Sequence, residues 1–217
     1  MKLAIAIDGP AGAGKSTIAK LLGEKYGLMY INTGSMYRAV TLFAMRSKIN
    51  EDDFDGLGSL IDSLDMHFEG DNLLVNGEDI SEEIRNAEVT GNVSKYASIG
   101  MVRKKLVKLQ QRIAENYSVI MDGRDIGTVV LKDADLKIFL TARAEERAKR
   151  RFDELKAKNI DVNYDEILKD IQKRDYTDSH REIDPLCKAE DAVEIDSSLM
   201  DIQEVVNAIS KYIDRLK

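Results

Sequence analysis

Ten residues near the start of the chain, Asp8-Gly-Pro-Ala-Gly-Ala-Gly-Lys-Ser-Thr17, carry its densest chemistry. Gly9 and Gly14-Lys15-Ser16 satisfy the spacing G-x-x-x-x-G-K-[ST], in which backbone N–H groups wrap a phosphate chain at the positive end of a helix. Gly9, Pro10, Ala11, Gly12, Ala13, Gly14, Lys15, Ser16 and Thr17 are therefore expected to hold a nucleoside triphosphate. Side chains in place of the glycines would keep the backbone away from the phosphates. Lys15 is expected on the β and γ phosphates, and the Ser16 hydroxyl on Mg²⁺, a hard cation that prefers oxygen. A glycine-rich turn beside a surface lysine is the plainer alternative. The pattern arises by chance in about one chain in a hundred of this length, and its flanks make chance less credible still.

A second constellation lies further on. Ser118-Val-Ile-Met-Asp122 is an apolar run ending in a carboxylate, and it leads directly into Gly123-Arg-Asp-Ile-Gly-Thr128. Asp122 is expected either to hold the Mg²⁺ through water or only to buttress the loop. Two glycines bracket Arg124 and Asp125 at the end of an apparent strand, where open α/β sheets bind ligands; an internal ion pair is the competing explanation. Arg38 falls in the first turn of a helix, against the helix dipole, so it suits an anion. Arg174, Asp178 and Arg181 stand at i, i+4 and i+7 and share a helix face, where a surface salt-bridge ladder would also account for them.

These groups need elements to position them. Leu3–Ile7, Leu28–Ile31, Ser118–Asp122, Asp133–Leu140 and Ala192–Ile195 read as five strands alternating with helices. That rhythm predicts a doubly wound five-stranded parallel sheet of the α/β class with right-handed crossovers. The first helix is expected over Ile18–Tyr26, and the second, capped by Thr33 or Ser35, ends near Ile49. Short strands at Met66–Glu69, Asn72–Asn76 and Glu78–Ile80 predict a compact meander inserted on the rim. Gly91 and Gly100 divide Ser81–Asn116 into two or three helices. Arg143–Lys158 and Tyr164–Arg181 predict two arginine-rich helices joined by a polar turn, a plausible lid over phosphates.

At 217 residues the chain suits one α/β domain, and a single cysteine, Cys187, forms no internal disulfide. Its leading apolar run is too short for a signal peptide or membrane span, so a soluble cytoplasmic protein is expected. The net charge of −7 disfavours a nucleic-acid binder, but the charge is segregated. Thirteen acidic residues between Glu51 and Glu88 are opposed only by Arg85, whereas Met101–Arg112 holds five basic residues and no acidic one. One of those cations is free to point into an anion pocket.

Taken together, the residues resemble the bacterial cytidylate kinases of the nucleoside monophosphate kinase family. The resemblance rests on the loop Ile7–Lys15, on Thr33-Gly-Ser-Met-Tyr-Arg38, on Asp122-Gly-Arg-Asp-Ile-Gly-Thr-Val-Val130, and on Arg174-Asp175 through Asp178, Arg181 and Pro185-Leu186. It covers nearly the whole chain. It implies a single kinase domain, 1–217, with 55–98 as the monophosphate-binding insertion and about 147–165 as the lid. It implies that Arg38, Arg124 and Arg181 hold the acceptor phosphate, that Ser94, Arg103 and Asp125 contact the base, that Arg174 and Asp178 lie near the ribose, and that Thr33 and Tyr37 line the pocket. Lys15, Arg124 and Arg181 are the catalytic cations it implies, with Arg147, Arg150 and Arg151 as lid candidates. Some relatives have further arginines where this chain has Thr177 and Ser179. The activity implied is γ-phosphoryl transfer from ATP, with Mg²⁺, to CMP or dCMP by a monomer with no nucleic-acid or membrane partner.

Other readings stay open at this level. A kinase on the same core acting on UMP, AMP or shikimate needs only a different acceptor pocket. A GTP-dependent switch protein expects an Asn-Lys-x-Asp guanine motif, and the chain has none.

Overall fold

The computed structural model describes residues 2–216. Strand β1 (Ala4–Asp8) leads through the glycine loop into helix α1 (Lys15–Tyr26), which is followed by β2 (Met29–Asn32) and α2 (Thr33–Arg46). Helix α3 (Phe54–Ser63) precedes a meander of β3 (Met66–Glu69), β4 (Asn72–Val75) and β5 (Glu78–Asp79). A 3₁₀ turn (Glu83–Arg85), α4 (Ala87–Ala97) and α5 (Gly100–Asn116) return the chain to the sheet at β6 (Val119–Gly123). The chain ends through β7 (Leu136–Thr141), α6 (Ala144–Ala157), α7 (Tyr164–His180), β8 (Val193–Asp196) and α8 (Ile202–Ile213).

The main sheet has the order β2-β6-β1-β7-β8, every neighbouring pair parallel. β1 lies at its centre because apolar residues alternate to both faces, as a strand covered on two sides requires. Ala6, Val119 and Met121 join the apolar cluster under α2, α4 and α5. Ile5, Ile7, Ile120, Ile138 and Leu140 join the cluster under α1 and α8. From β1 the chain crosses first toward β2 and β6 and later toward β7. The carboxyl ends of β1 and β6 therefore flank a switch point, the crevice where such sheets take ligands.

The five strands, the rim meander and the division of 81–116 are as the sequence predicts. Three local details differ. Helix α1 starts at Lys15 rather than Ile18, so the phosphate-loop lysine belongs to its first turn. The cap of α2 is Asn32, whose side chain accepts the Ser35 N–H at 3.0 Å. That frees Thr33, whose hydroxyl donates to the Asp122 carbonyl at 2.7 Å. After β6 the chain makes one π-helical turn, Ile126–Val130, before β7, which begins at Leu136 rather than Asp133. Among the described residues no helix is long and apolar enough to cross a membrane.

Candidate active site

The glycine loop is shaped by contacts that only glycine permits. Gly9 has φ +146°, and a Cβ there would stand 1.9 Å from the Leu140 carbonyl oxygen of β7. Gly14, at φ +90°, is the N-cap of α1 and offers no side-chain cap, so the first N–H groups of the helix are left to an anion. Lys15 is buried and donates to the Pro10 carbonyl at 2.7 Å, folding its ammonium back over the loop. Burial, reinforced by Arg124 and Arg174, holds its pKa well below the ordinary lysine range. An added negative charge would relieve that pressure.

The oxygen donors expected beside this loop do converge. Ser16 Oγ donates to Asp122 Oδ2 at 2.9 Å, and the Tyr30 hydroxyl donates to Asp122 Oδ1 at 2.9 Å. Asn32 Nδ2 closes the group with bonds to Tyr30 Oη at 3.0 Å and Ser16 Oγ at 3.3 Å. Burial raises the Asp122 pKa, opposed chiefly by Lys15 and then by the two hydroxyls. A hydroxyl and one carboxylate suit Mg²⁺, which keeps several waters and takes phosphate oxygens as further ligands. The sequence does not mark Tyr30 and Asn32, because nothing in a strand sequence says which of its side chains meets a neighbour's aspartate.

Asp8, the residue before the loop, turns the other way. Its carboxylate accepts the Ile126 N–H at 2.8 Å and the Gly127 N–H at 2.7 Å. Burial pushes its pKa up to about 6 against those two bonds. The phosphate loop and the Arg124-Asp125 loop are thus fastened to each other through one side chain.

The acceptor candidates meet in a pocket between α2, α4, the end of β6 and α7. Thr33, Tyr37, Ser94, Arg103, Arg124, Asp125, Arg174, Asp178 and Arg181 all line it. Gly34, Ser98 and Thr177 also line it. Arg124 and Asp125 do not pair with each other. Arg124 Nε donates to Asp178 Oδ2 at 2.8 Å, whereas Asp125 is shared by Arg103 and Arg181. Arg103 is 1 % exposed and is the pocket-facing member of the basic run, with its guanidinium 5.5 Å from the Tyr37 ring. Arg38, expected on the acceptor phosphate, is not among the residues lining the pocket; it donates instead to Thr90 Oγ1 at 2.7 Å and the Ile84 carbonyl at 3.2 Å.

Positive charge is in excess here. Burial lowers the Arg38 pKa, and Arg124 lowers it further. Arg174 falls to about 10, through burial first and then the nearness of Arg124. Its Nε is buried without a hydrogen-bond partner among the described residues. A buried donor left unpaired beside other cations is costly unless an anion completes it.

The three helix arginines expected on the lid have different fates. Arg147 is buried and bidentate to Asp175 of α7, at 2.6 and 3.0 Å, while also donating to the Ala11 carbonyl of the glycine loop at 2.9 Å. Arg150 is drawn to Ser197 beyond the end of β8. Arg151 pairs with the exposed Glu154 yet remains near enough to Arg38 to lower its pKa. Helix α7 ends at His180, so Arg181 occupies its C-cap and reaches the pocket from extended backbone.

The chain is similar to known proteins along nearly its whole length. A family model described as cytidylate kinase matches residues 5–215. A cytidylate kinase of Clostridium acetobutylicum is 65% identical over 99% of both chains. One from Clostridium perfringens is 61% identical over 98% of both, and one from Clostridium botulinum is 55% identical over 99% of both. Solved structures share the fold at low identity. An uncharacterized protein from Eubacterium ventriosum has a TM-score of 0.55 at 16% identity, covering 99% of both chains. A shikimate kinase from Bacteroides thetaiotaomicron has a TM-score of 0.50 at 13% identity, covering 98% of both.

Proposed function

The chain belongs to the cytidylate kinase family, and on that premise we propose that its pocket takes CMP or dCMP as acceptor of the γ-phosphoryl group of ATP. The products are CDP or dCDP and ADP. One observation carries the acceptor assignment: the buried Nε of Arg174, unpartnered among the described residues, beside Arg124 and Arg38, a cluster that a dianionic phosphate would complete. A nucleoside monophosphate supplies that group, since its second pKa is about 6. It needs no general base to become a nucleophile.

The work of the site is to bring anions together. The loop amides and Lys15 hold the donor phosphates, while Arg124 and Arg181 reach the pocket from β6 and from the end of α7. Bound Mg²⁺, held by Ser16 and by Asp122 directly or through water, would neutralise charge on the donor phosphates. Arg151 is the lid arginine nearest the acceptor cations, and Arg147 couples the loop to α7. Residues 55–98 act as the monophosphate-binding insertion and 147–165 as the lid.

Ser94, Arg103 and Asp125 read the base. Cytosine offers an amino donor at N4 with acceptors at N3 and O2, which a carboxylate and a guanidinium complement. Uracil reverses two of those three signs, and a mismatched buried polar pair discriminates strongly.

The test is a calorimetric titration with CMP, cytidine and UMP in the absence of ATP. CMP should bind at least about 100-fold tighter than cytidine, given two or more charge-assisted bonds to its phosphate. UMP should bind more weakly than CMP. Equal affinity for CMP and cytidine would remove the arginine cluster from phosphate binding, and equal affinity for CMP and UMP would remove the base readers.

A further inference from the structure

Asp184 lies four residues beyond the end of α7, and neither its type nor its position marks it in the sequence. It has φ +49°, one of four non-glycine residues with positive φ among the described residues. Aspartate tolerates that left-handed conformation better than most residues, and the following Pro185 disfavours the right-handed helical alternative. The bond from the Leu186 N–H to the Asp178 carbonyl, at 2.8 Å, folds the segment back against α7.

This turn aims two acceptors at two different arginines. The Asp184 carbonyl accepts Arg181 Nε at 2.6 Å, and its carboxylate Oδ2 accepts Arg103 Nε at 2.9 Å. Asp125 joins the same two arginines from the other side, through Oδ1 to Arg181 Nη2 at 3.2 Å and through Oδ2 to Arg103 Nη2. Arg103, Asp125, Arg181 and Asp184 thus form a closed ring, in which two guanidiniums are bridged on one side by the Asp125 carboxylate and on the other by the carboxylate and backbone carbonyl of Asp184. The ring joins α5, the loop after β6 and the segment after α7.

The ring has a directional consequence. Arg103 has three nitrogens, and Asp184 takes Nε. That leaves Arg103 only an end-on bond to Asp125, while Nη1 donates to the Ala97 carbonyl at 3.2 Å. If Nε were released, the guanidinium could turn and grip Asp125 through two parallel N–H bonds, its preferred geometry. Oδ1, which already accepts from Arg181 Nη2, would then accept from Arg103 as well, and a lone pair that is open to a ligand would be lost.

We propose that Asp184 is a specificity-positioning residue: by holding Arg103 Nε it limits Arg103 to one bond with Asp125, so that Asp125, bonded once to Arg103 and once to Arg181, keeps a lone pair for an exocyclic amino group on the acceptor's base. The inference rests on the reading of the pocket as a cytosine-selective acceptor site. Asp184 does not touch the reacting groups. Its effect belongs in acceptor recognition, not in the chemical step.

The experiment measures kcat and KM for CMP and for UMP, and KM for ATP, in the unaltered chain, Asp184→Gly and Asp184→Asn. Glycine accepts φ +49° and keeps the carbonyl for Arg181, so it removes the carboxylate without straining the backbone. Asp184→Gly should raise KM for CMP about tenfold, leave KM for ATP and saturating kcat within about twofold, and lower the CMP-to-UMP ratio of kcat/KM about tenfold, the size of one lost charge-assisted hydrogen bond. Asp184→Asn, which restores a neutral acceptor for Arg103 Nε, should recover part of that ratio. An unchanged ratio in both variants would overturn the proposal, as would an equal loss with CMP and UMP, the mark of a merely structural role. An unaltered chain without CMP preference would instead sink the pocket reading itself.

Discussion

Arg124 Nε and Asp178 Oδ2 are bonded at 2.8 Å across 54 positions of sequence, and this bond fastens the loop after β6 to helix α7. Arg124 also donates to its neighbour's carbonyl, on Gly123, at 3.1 Å. Its guanidinium is held at one edge, and its second Nη remains available to the pocket. After burial, Arg124 lowers the pKa of Lys15, Arg38 and Arg174, and Asp178 opposes that shift at Arg174.

Arg124→Ala should lower kcat with CMP by about 10²–10³-fold, the usual cost of removing one group that stabilises transition-state charge. ATP affinity should stay within a few-fold of the unaltered chain, because the glycine loop is untouched. Steady-state kinetics with a separate ATP titration checks both, and near-normal turnover would take Arg124 out of the acceptor site.

Asp125→Asn should blunt the choice of CMP over UMP, since the amide can turn either face to the base. It should also destabilise the fold. Asp125 is 4 % exposed between Arg103 and Arg181, and breaking a buried pair costs about 3–5 kcal/mol, less here because the amide keeps one acceptor. Thermal unfolding and the ratio of kcat/KM values measure the two effects, and a variant with unchanged selectivity would contradict the base-reading role.

Asp122→Asn should raise the Mg²⁺ concentration needed for half-maximal rate about 10–100-fold, the range found when groups that orient metal ligands are altered. The amide cannot accept from both Ser16 and Tyr30 as the carboxylate does. The rate against Mg²⁺ concentration, at fixed total ATP, reads the shift. A superimposable curve would leave Asp122 as a buttress alone.

Asp8 sets a pH dependence of known sign. Its folded-state pKa is raised to about 6, chiefly by burial, from an ordinary value near 4. Between those values the folded chain binds more protons at this group than the unfolded chain, so its contribution to stability falls as pH rises from about 4 to 6. Asp8→Asn lacks that term. The difference in Tm between Asp8→Asn and the unaltered chain should therefore move in favour of the variant from pH 5 to pH 7, and parallel Tm profiles would contradict it.

What the sequence makes legible follows from how local the physics is. The glycine loop is a contiguous pattern, the strands alternate with a period the chain itself displays, and Gly123-Arg-Asp125 announces a strand end. The neighbour relations are not contiguous. That Arg124 pairs with Asp178 while Asp125 pairs with Arg103 and Arg181 depends on three elements meeting, and adjacency in sequence suggested the opposite pair. Asn32 takes the cap of α2 because Thr33 is needed by the Asp122 carbonyl, a contact 89 residues away. Among three similar lid arginines, only packing separates Arg150, bound to Ser197, from Arg147, bound to Ala11 and Asp175. Asp184 is the clearest case, a residue whose role rests on a left-handed turn that its own sequence does not declare.

The account's central claim is that the chain passes the γ-phosphoryl group of ATP to a cytosine monophosphate. The most direct measurement is the initial rate of ADP formation from ATP and Mg²⁺ with CMP, dCMP, UMP, AMP or shikimate offered singly, against a blank without acceptor. Turnover with CMP and dCMP far above the others is the predicted result. A preference for UMP, AMP or shikimate, or ADP formation that does not depend on acceptor, would contradict it.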